Sequence, residues 1–267
     1  MPSQPEPAIT SRHNPRVKAV RRLIDSRRAR MAARQIAVEG VRLIEDALRS
    51  GIAPLTLFFD PALTAGNPAA AALIAQAAAA GSECIACTGA VFAAMSETQT
   101  PQGVLAVLPM PALPPPPHPT LALVLDGVRD PGNAGALLRS AEAAGASLAI
   151  FSPGAVDPFN DKALRSGMGA HFRLPITVAE TWETLRSALA GLTCYVAQAG
   201  AGLAYDQVDW RQPAALVIGG EATGPSHAVQ QFGQPVHIPM HGGTESLNAA
   251  VAGAVILFEA ARQRRMR

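Results

Sequence analysis

Cysteine and lysine are scarce in this chain, and each scarcity narrows what it can be. There are three cysteines, an odd number with no export signal ahead of them, which leaves a disulfide framework without a basis. Cys84-Ile-Ala-Cys87 has the spacing of a redox pair or of half a zinc site. Neither a second Cys pair nor a His-x3–5-His run exists to complete such a site, and Cys194 stands alone in an apolar stretch. The three read as ordinary buried small residues, and no metal is expected. The start, Met-Pro-Ser-Gln-Pro-Glu-Pro, has no basic segment leading into an apolar run and does not read as a signal peptide. The longest apolar run, 249–258, is too short for a bilayer, which needs about 20 residues. A soluble cytoplasmic protein is the expectation. Three fingerprints are missing as well: Gly-x-Gly-x-x-Gly of dinucleotide sites, Gly-Lys-Ser/Thr of phosphate loops, and Gly-x-Ser-x-Gly of hydrolases.

What is present is a large apolar fraction, 49% of 267 residues with mean hydropathy +0.18, ample for one large or two ordinary domains. The net charge of +2 conceals an uneven distribution. Residues 1–50 hold 11 basic against 5 acidic side chains, residues 51–260 hold 7 against 15, and the last seven add Arg262, Arg264, Arg265 and Arg267. Only Lys18 and Lys162 among the 22 basic residues are lysine, and arginine's planar fork suits bidentate phosphate contacts. A polyanion met by the N-terminal part follows, with Arg12, Arg21, Arg22, Arg27, Arg28 and Arg30 as RNA contacts. The C-terminal arginines either join that contact or complement a helix C-terminus.

Hydrophobic periodicity predicts a basic amphipathic helix over 13–34, a strand at 36–38, a helix at 39–48, a strand at 55–59, an alanine-rich helix at 69–80, and strands at 84–86 and 103–107. This is one small α/β unit over 1–108, with 1–9 expected to be disordered. Seven of the eleven residues from 109 to 119 are proline, so this stretch is neither helix nor central strand and reads as an extended spacer. Beyond it, apolar strands at 121–125, 147–151, 174–178, 193–197, 214–218 and 236–238 alternate with helices at 134–144, 162–166, 182–190, 226–232 and 247–264. Near-continuous apolar strands are those of a parallel sheet covered on both faces.

Three segments of this second unit, 120–267, put polar groups at the carboxyl ends of its strands, where open α/β sheets bind ligands. Asp126-Gly-Val-Arg-Asp-Pro-Gly-Asn133 leaves a strand through turn residues, with Asn133 available as a helix cap and Arg139 six residues further on. Ile218-Gly-Gly-Glu221 ends a buried strand in a flexible loop carrying a carboxylate. Ile238-Pro-Met240 and His241-Gly-Gly243, whose glycines permit a tight backbone path, lead to Ser246 and Asn248 at the mouth of an apolar helix. Each alone is explicable as a cap, a turn or a helix start.

In order and spacing, Asn-x-Gly-Ala-x-x-Arg, Gly-x-Glu and Ile-Pro-Met…Ser-Leu-Asn resemble the three motifs of the SpoU/TrmH family of RNA 2'-O-ribose methyltransferases, within the SPOUT superfamily. The match covers about 120–264, and the segment Lys162-Ala-Leu-Arg165-Ser-Gly-Met-Gly169 fits the stretch between the first and second motifs. The N-terminal unit resembles the substrate-binding domain of some members, a ribosomal-protein-like α/β fold. The resemblance implies a C-terminal parallel-sheet SPOUT domain with a trefoil knot, a rare exception to ordinary chain topology, and a homodimer with its active site at the subunit interface. It implies S-adenosyl-L-methionine as cofactor, held around Gly219, Gly220, Ile238, Met240 and Leu247 with the loop at Ala199 and Gly200. Asn133, Arg139, Glu221, Ser246 and Asn248 are then the catalytic set, and Lys162 and Arg165 join the RNA contacts.

The chemistry asks little more than placement of a ribose 2'-hydroxyl in line with an activated methyl and management of one proton. No metal or covalent nucleophile is needed. The resemblance assigns Arg139 the role of base, but a guanidinium is almost never deprotonated in proteins. The expectation is that it stabilises the developing alkoxide and grips the adjacent phosphate, held by Glu221, Asn133 and Asn248. Ribosomal RNA is preferred over transfer RNA because a separate N-terminal domain resembles the ribosomal members. The alternatives are a transfer-RNA methyltransferase, a non-catalytic knotted RNA-binding or assembly protein, and a Cys84/Cys87 thiol oxidoreductase.

Overall fold

The structure, a computed structural model, describes residues 8–266, and the chain divides between Pro111 and Ala112 into two compact units. The first contains α1 (Pro15–Asp25), α2 (Arg27–Ala33), β1 (Gln35–Glu39), α3 (Val41–Arg49), β2 (Thr56–Phe59), α4 (Pro61–Thr64), α5 (Pro68–Ala79), β3 (Glu83–Ala86), α6 (Gly89–Met95) and β4 (Val104–Pro109). Its sheet runs β1-β4-β2-β3, with β4 antiparallel to both neighbours and β2 parallel to β3. Val17, Val20 and Leu23 of α1 are buried in one cluster with Phe58, Phe92 and Leu105, which is why the apolar stripe at helical spacing exists.

Three expectations for this unit need correction. The single helix over 13–34 is broken at Ser26, whose extended backbone ends α1 and whose Oγ accepts the Ala29 N–H at 3.2 Å to start α2. The break turns Arg30 inward. It is 4% exposed and donates to the carbonyls of Leu23 at 2.6 Å and Ile24 at 2.9 Å, satisfying the open end of α1, so the structure does not offer it at the surface where an RNA contact was expected. Residues 1–7 of the segment expected to be disordered lie outside the described residues. Ile9 is ordered: its N–H donates to the Ala86 carbonyl at 2.9 Å and its own carbonyl accepts from Thr88 at 3.1 Å. Finally, Pro109 belongs to β4 rather than to the spacer. It pairs with Gln35 beyond the point where β2 stops, so its missing N–H costs no ladder bond on that side.

The second unit contains β5 (Leu121–Asp126), α7 (Pro131–Ala143), β6 (Leu148–Phe151), α8 (Asp161–Gly167), β7 (Ile176–Val178), α9 (Trp182–Ala188), β8 (Thr193–Ala197), β9 (Leu203–Ala204), β10 (Ala214–Gly219), α10 (His227–Gln230), β11 (Gln234–His237) and α11 (Ala249–Arg265). Its seven strands are all parallel, in the order β7-β6-β5-β10-β8-β11-β9. From β5 the chain runs outward through β6 and β7, then returns on the far side of β10. The direction of winding changes between β5 and β10, the place where such sheets leave a crevice. In register, Asp126 faces Gly219, so both strands end level beneath that crevice.

Two glycines set how closely helices approach. A Cβ on Gly135 of α7 would collide with Ser166 and the Ala163 carbonyl of α8, and one on Gly253 of α11 would collide with Leu137 of α7. At the end of α11, Arg264 donates to the carbonyls of Trp210 and Thr120 at 2.8 Å and of Gln212 at 2.9 Å, and Arg262 pairs with Glu259 at 2.8 Å. Arg264 thus anchors the helix end, while the Arg262 pair lies within the helix. Arg267 lies outside the described residues. Among the described residues no helix is long and apolar enough to cross a membrane.

Candidate active site

The first turn of α7 is capped by Asp130 rather than by Asn133. Asp130 Oδ1 accepts the Asn133 N–H at 2.8 Å, Pro131 occupies the first helical position, and Lys162 Nζ meets Asp130 Oδ2 at 2.9 Å. The Lys162 contact first, then the Asn133 N–H, hold the Asp130 carboxyl below its usual range. Asn133 is thereby placed inside the helix, with its side chain left to meet Glu221 and Asn248.

That side chain joins all three polar segments. Asn133 Nδ2 donates to Glu221 Oε1 at 2.8 Å, and Asn133 Oδ1 accepts from Asn248 Nδ2 at 3.1 Å. Asn248 Oδ1 in turn accepts from the N–H groups of Ala250 at 2.9 Å and Val251 at 3.2 Å, so Asn248 is the cap of α11, which begins after it rather than at Leu247. The chemistry fixes every amide: Asn133 must turn its NH2 to a carboxylate, and Asn248 its oxygen to main-chain donors. Glu221 Oε2 also faces the Arg129 N–H at 3.4 Å. Burial alone would raise the Glu221 carboxyl, but the bonds from Asn133 and from main-chain N–H groups, Arg129 and Asp130 among them, outweigh it and hold it below the usual carboxylate range.

Beside this relay, the carboxyl ends of β8, β10 and β11 and the start of α11 enclose a cleft of about 640 Å³, within the size range of small-molecule sites. Its floor is apolar, from Ile218, Val236, Ile238, Ala252 and Ile256, and its rim carries Gln198, Glu221, Thr223, Glu245, Ser246 and Asn248. Met240 and Leu247 line it while remaining 38% and 36% exposed, apolar surface that a ligand would cover. An apolar floor with a polar rim and main-chain walls fits a nucleoside carrying a charged amino-acid tail.

Of the expected cofactor residues, Gly219, Gly220, Ile238, Met240, Leu247 and Ala199 line the cleft, and Gly200 does not. Gly219 is glycine because a Cβ there would strike the backbone of Gly224 and Pro225, where the loop folds back on β10. Gly242 and Gly243 have open space around them, so no tight path requires them here. Ser246 lines the cleft; Arg139 does not. It is exposed, six residues along α7 from Asn133. Within the chain Glu221, Asn133 and Asn248 bond one another and not Arg139, against the expectation that they hold it. Thr223, Pro225 and Gln230 were missed; their only sequence signal is that they follow Gly219-Gly-Glu221.

The expected RNA contacts divide into two groups. Arg22, Arg27 and Arg28 are exposed without an ion pair among the described residues. The rest are engaged: Arg12 donates to the Ala90 carbonyl at 3.0 Å, Arg21 pairs with Asp25 at 3.0 Å and with Glu97, Lys162 with Asp130, and Arg165 with Asp161. Burial, with Asp60 nearby, pushes the Cys87 thiol up to about 12; burial raises Cys194 to about 11 and also raises Cys84, so none is a ready thiolate. No group of His, Cys, Asp or Glu among the described residues could hold a metal ion.

Residues 120–258 match the model of the SpoU rRNA Methylase family. The chain belongs to that family. Residues 14–106 match the MRM3-like substrate binding domain. Among SpoU relatives, the 23S rRNA (guanosine(2553)-2'-O)-methyltransferase RlmP of Bacillus subtilis is 31% identical over 94% of this chain and 97% of its own length. The human rRNA methyltransferase 3, mitochondrial, is 32% identical over 94% of this chain and 73% of its own. The crystal structure of the SpoU methyltransferase AviRb from Streptomyces viridochromogenes, in complex with AdoMet, superposes with a TM-score of 0.81 at 31% identity, covering 95% of this chain and 100% of that one.

Proposed function

We propose that this protein transfers the methyl group of S-adenosylmethionine to a ribose 2'-hydroxyl of ribosomal RNA, working as a homodimer in the cytoplasm. The observation that carries the reading is the Asn248–Asn133–Glu221 relay, which ties the three family segments together at the rim of the cleft. S-adenosylmethionine, when bound, supplies a methyl already activated by its sulfonium. Gly219, Gly220, Ile238, Met240, Leu247 and Ala199, with Gly200 in the same loop, are the residues that would hold it. Around them this chain binds and orients: Asn133, Glu221, Ser246 and Asn248 position the ribose, and proximity supplies most of the rate. Arg139 stays cationic, neutralises the charge that develops on the 2'-oxygen and grips the neighbouring phosphate, while the single proton released passes to water at the open rim.

A homodimer fits two features of the single chain. Arg139 stands exposed outside its own cleft, and α11 leaves Val251 50% and Phe258 48% exposed, two turns apart on one side of the helix. A second copy would cover the apolar stripe and bring an arginine to the site. The C-terminal unit is read as threaded in the family's trefoil knot, with the spacer that follows Pro109 separating it from an RNA-reading unit that ends with β4.

The test is calorimetry of the purified full chain with S-adenosylmethionine, followed by transfer of labelled methyl to ribosomal and transfer RNA and digestion to locate the label. Micromolar binding and alkali-stable label on ribosomal RNA ribose are expected. No binding at millimolar cofactor overturns the reading.

A further inference from the structure

The buried carboxylate of Asp126 has no part in the chemistry above, yet it lies directly beneath the site. It is the last residue of β5, 1% exposed, level with Gly219 on β10. Burying such a group is costly without a partner. Among the described residues the carboxylate has a single partner: Asp126 Oδ2 accepts the Ser226 N–H at 2.6 Å, a contact between residues 100 apart in sequence. Asp126 Oδ1 and Ser226 Oγ are both buried without a hydrogen bond.

Ser226 closes the loop that begins at Gly219. That loop folds tightly on itself, with the Gly224 N–H donating to the Gly220 carbonyl at 2.8 Å. It supplies Gly220, Glu221, Thr223, Gly224 and Pro225 to the cleft wall. Two attachments join it to the end of β5 and the segment that follows. The outer one, at the rim, is Glu221 with Asn133 and the Arg129 N–H; the inner one is Asp126 with Ser226. Water competes for the outer attachment and not for the inner, so the buried bond is the firmer of the two.

We propose that Asp126 is a positioning residue for methyl transfer: by holding Ser226 it sets both the cofactor wall of the cleft and the place where Glu221 meets Asn133. The inference rests on the cleft being the S-adenosylmethionine site. Geometry rather than charge carries the role, since one carboxylate oxygen is used and the other is idle. Asn can present the same oxygen at the same distance; Glu keeps the charge but moves the oxygens by a methylene; Ala leaves the Ser226 N–H orphaned.

The experiment measures cofactor affinity by calorimetry, single-turnover transfer at saturating cofactor and RNA, RNA affinity and thermal unfolding for wild type, Asp126→Asn, Asp126→Glu and Asp126→Ala. Expected are wild-type values within about threefold for Asn, and for Glu and Ala a loss of about tenfold or more in both cofactor affinity and transfer rate, with RNA affinity unchanged. A core variant remote from the loop, Ile150→Val, should lower the unfolding temperature without moving cofactor affinity. Should Asp126→Ala fail to fold, the Asn and Glu pair decides. Loss of cofactor binding in Asn with retention in Glu overturns the proposal, as does a Glu or Ala variant that binds and transfers as wild type. Failure of the wild type itself to bind cofactor sinks the underlying reading instead, and the proposal with it.

Discussion

Asn133 spends both halves of its amide, one on Glu221 and one on Asn248, so its removal should be felt at the site rather than in the fold. Asn133→Ala is expected to lower methyl transfer about 100-fold, the scale of a small misplacement of reacting groups, with little change in unfolding temperature. It should also raise the Glu221 carboxyl, because the bond from Asn133 is one of those holding it low. The stabilising share of a carboxylate depressed in the folded state is present above its unfolded pKa and lost as pH falls through the folded value. Stability of the variant should therefore depend less on pH below about 4.5 than that of wild type, read by pH-resolved denaturation alongside an NMR titration of Glu221. For Arg139, a charge role predicts partial single-turnover activity in Arg139→Lys across pH; loss at every pH contradicts it.

At the scale of elements, α7 is held from three directions: by its Asp130 cap, by α8 through Gly135, and by α11 through Gly253. Gly135→Ala puts a methyl into the Ala163 carbonyl and Ser166, and is expected to destabilise by about 2 kcal/mol or more despite alanine's better helix propensity; urea denaturation checks it. His171, fully buried after α8, shares hydrogen-bond contact at 2.8 Å with the Pro158 carbonyl through Nε2 and leaves Nδ1 without a partner. Burial pushes it down to about 4 from 6.5. A histidine depressed in this way contributes stability that is whole above 6.5 and is lost as pH falls toward 4, about 3 kcal/mol in all. His171→Gln, which keeps a donor for Pro158 and does not titrate, should flatten that slope; an unchanged slope assigns it to other groups.

These elements also show how far the sequence was legible. The parallel strands and the polar loops at their ends were readable, since apolar runs broken by glycine and polar residues leave few alternatives. Details settled by side-chain competition were not. Asp130 and Asn133 are both good caps, and only the fold decides that Asp130 takes the role and frees Asn133. The break at Ser26 is hidden in a stretch whose helical spacing continues across it, and with it the inward turn of Arg30. The distance of Arg139 from its own cleft has no local signature either.

At the scale of the whole molecule, the proposed function gives RNA reading to the basic N-terminal unit and chemistry to the cleft-bearing unit. Arg22, Arg27 and Arg28 of the first unit's basic segment are exposed and without ion pairs among the described residues. Replacing all three by Ala should weaken RNA binding and reduce the slope of log affinity against log salt by about 2–3, the signature of three lost phosphate contacts. Cofactor affinity should not move. An unchanged salt slope, measured by filter binding, would place the RNA contact elsewhere.

The central assignment, ribose methylation of ribosomal RNA, is tested most directly by mapping 2'-O-methyl nucleotides in ribosomal and transfer RNA from cells lacking this gene, with wild type and Arg139→Ala restored separately. Loss of a ribosomal RNA mark that wild type restores and Arg139→Ala does not is the expected result. Loss confined to transfer RNA, or no loss at all, contradicts the assignment.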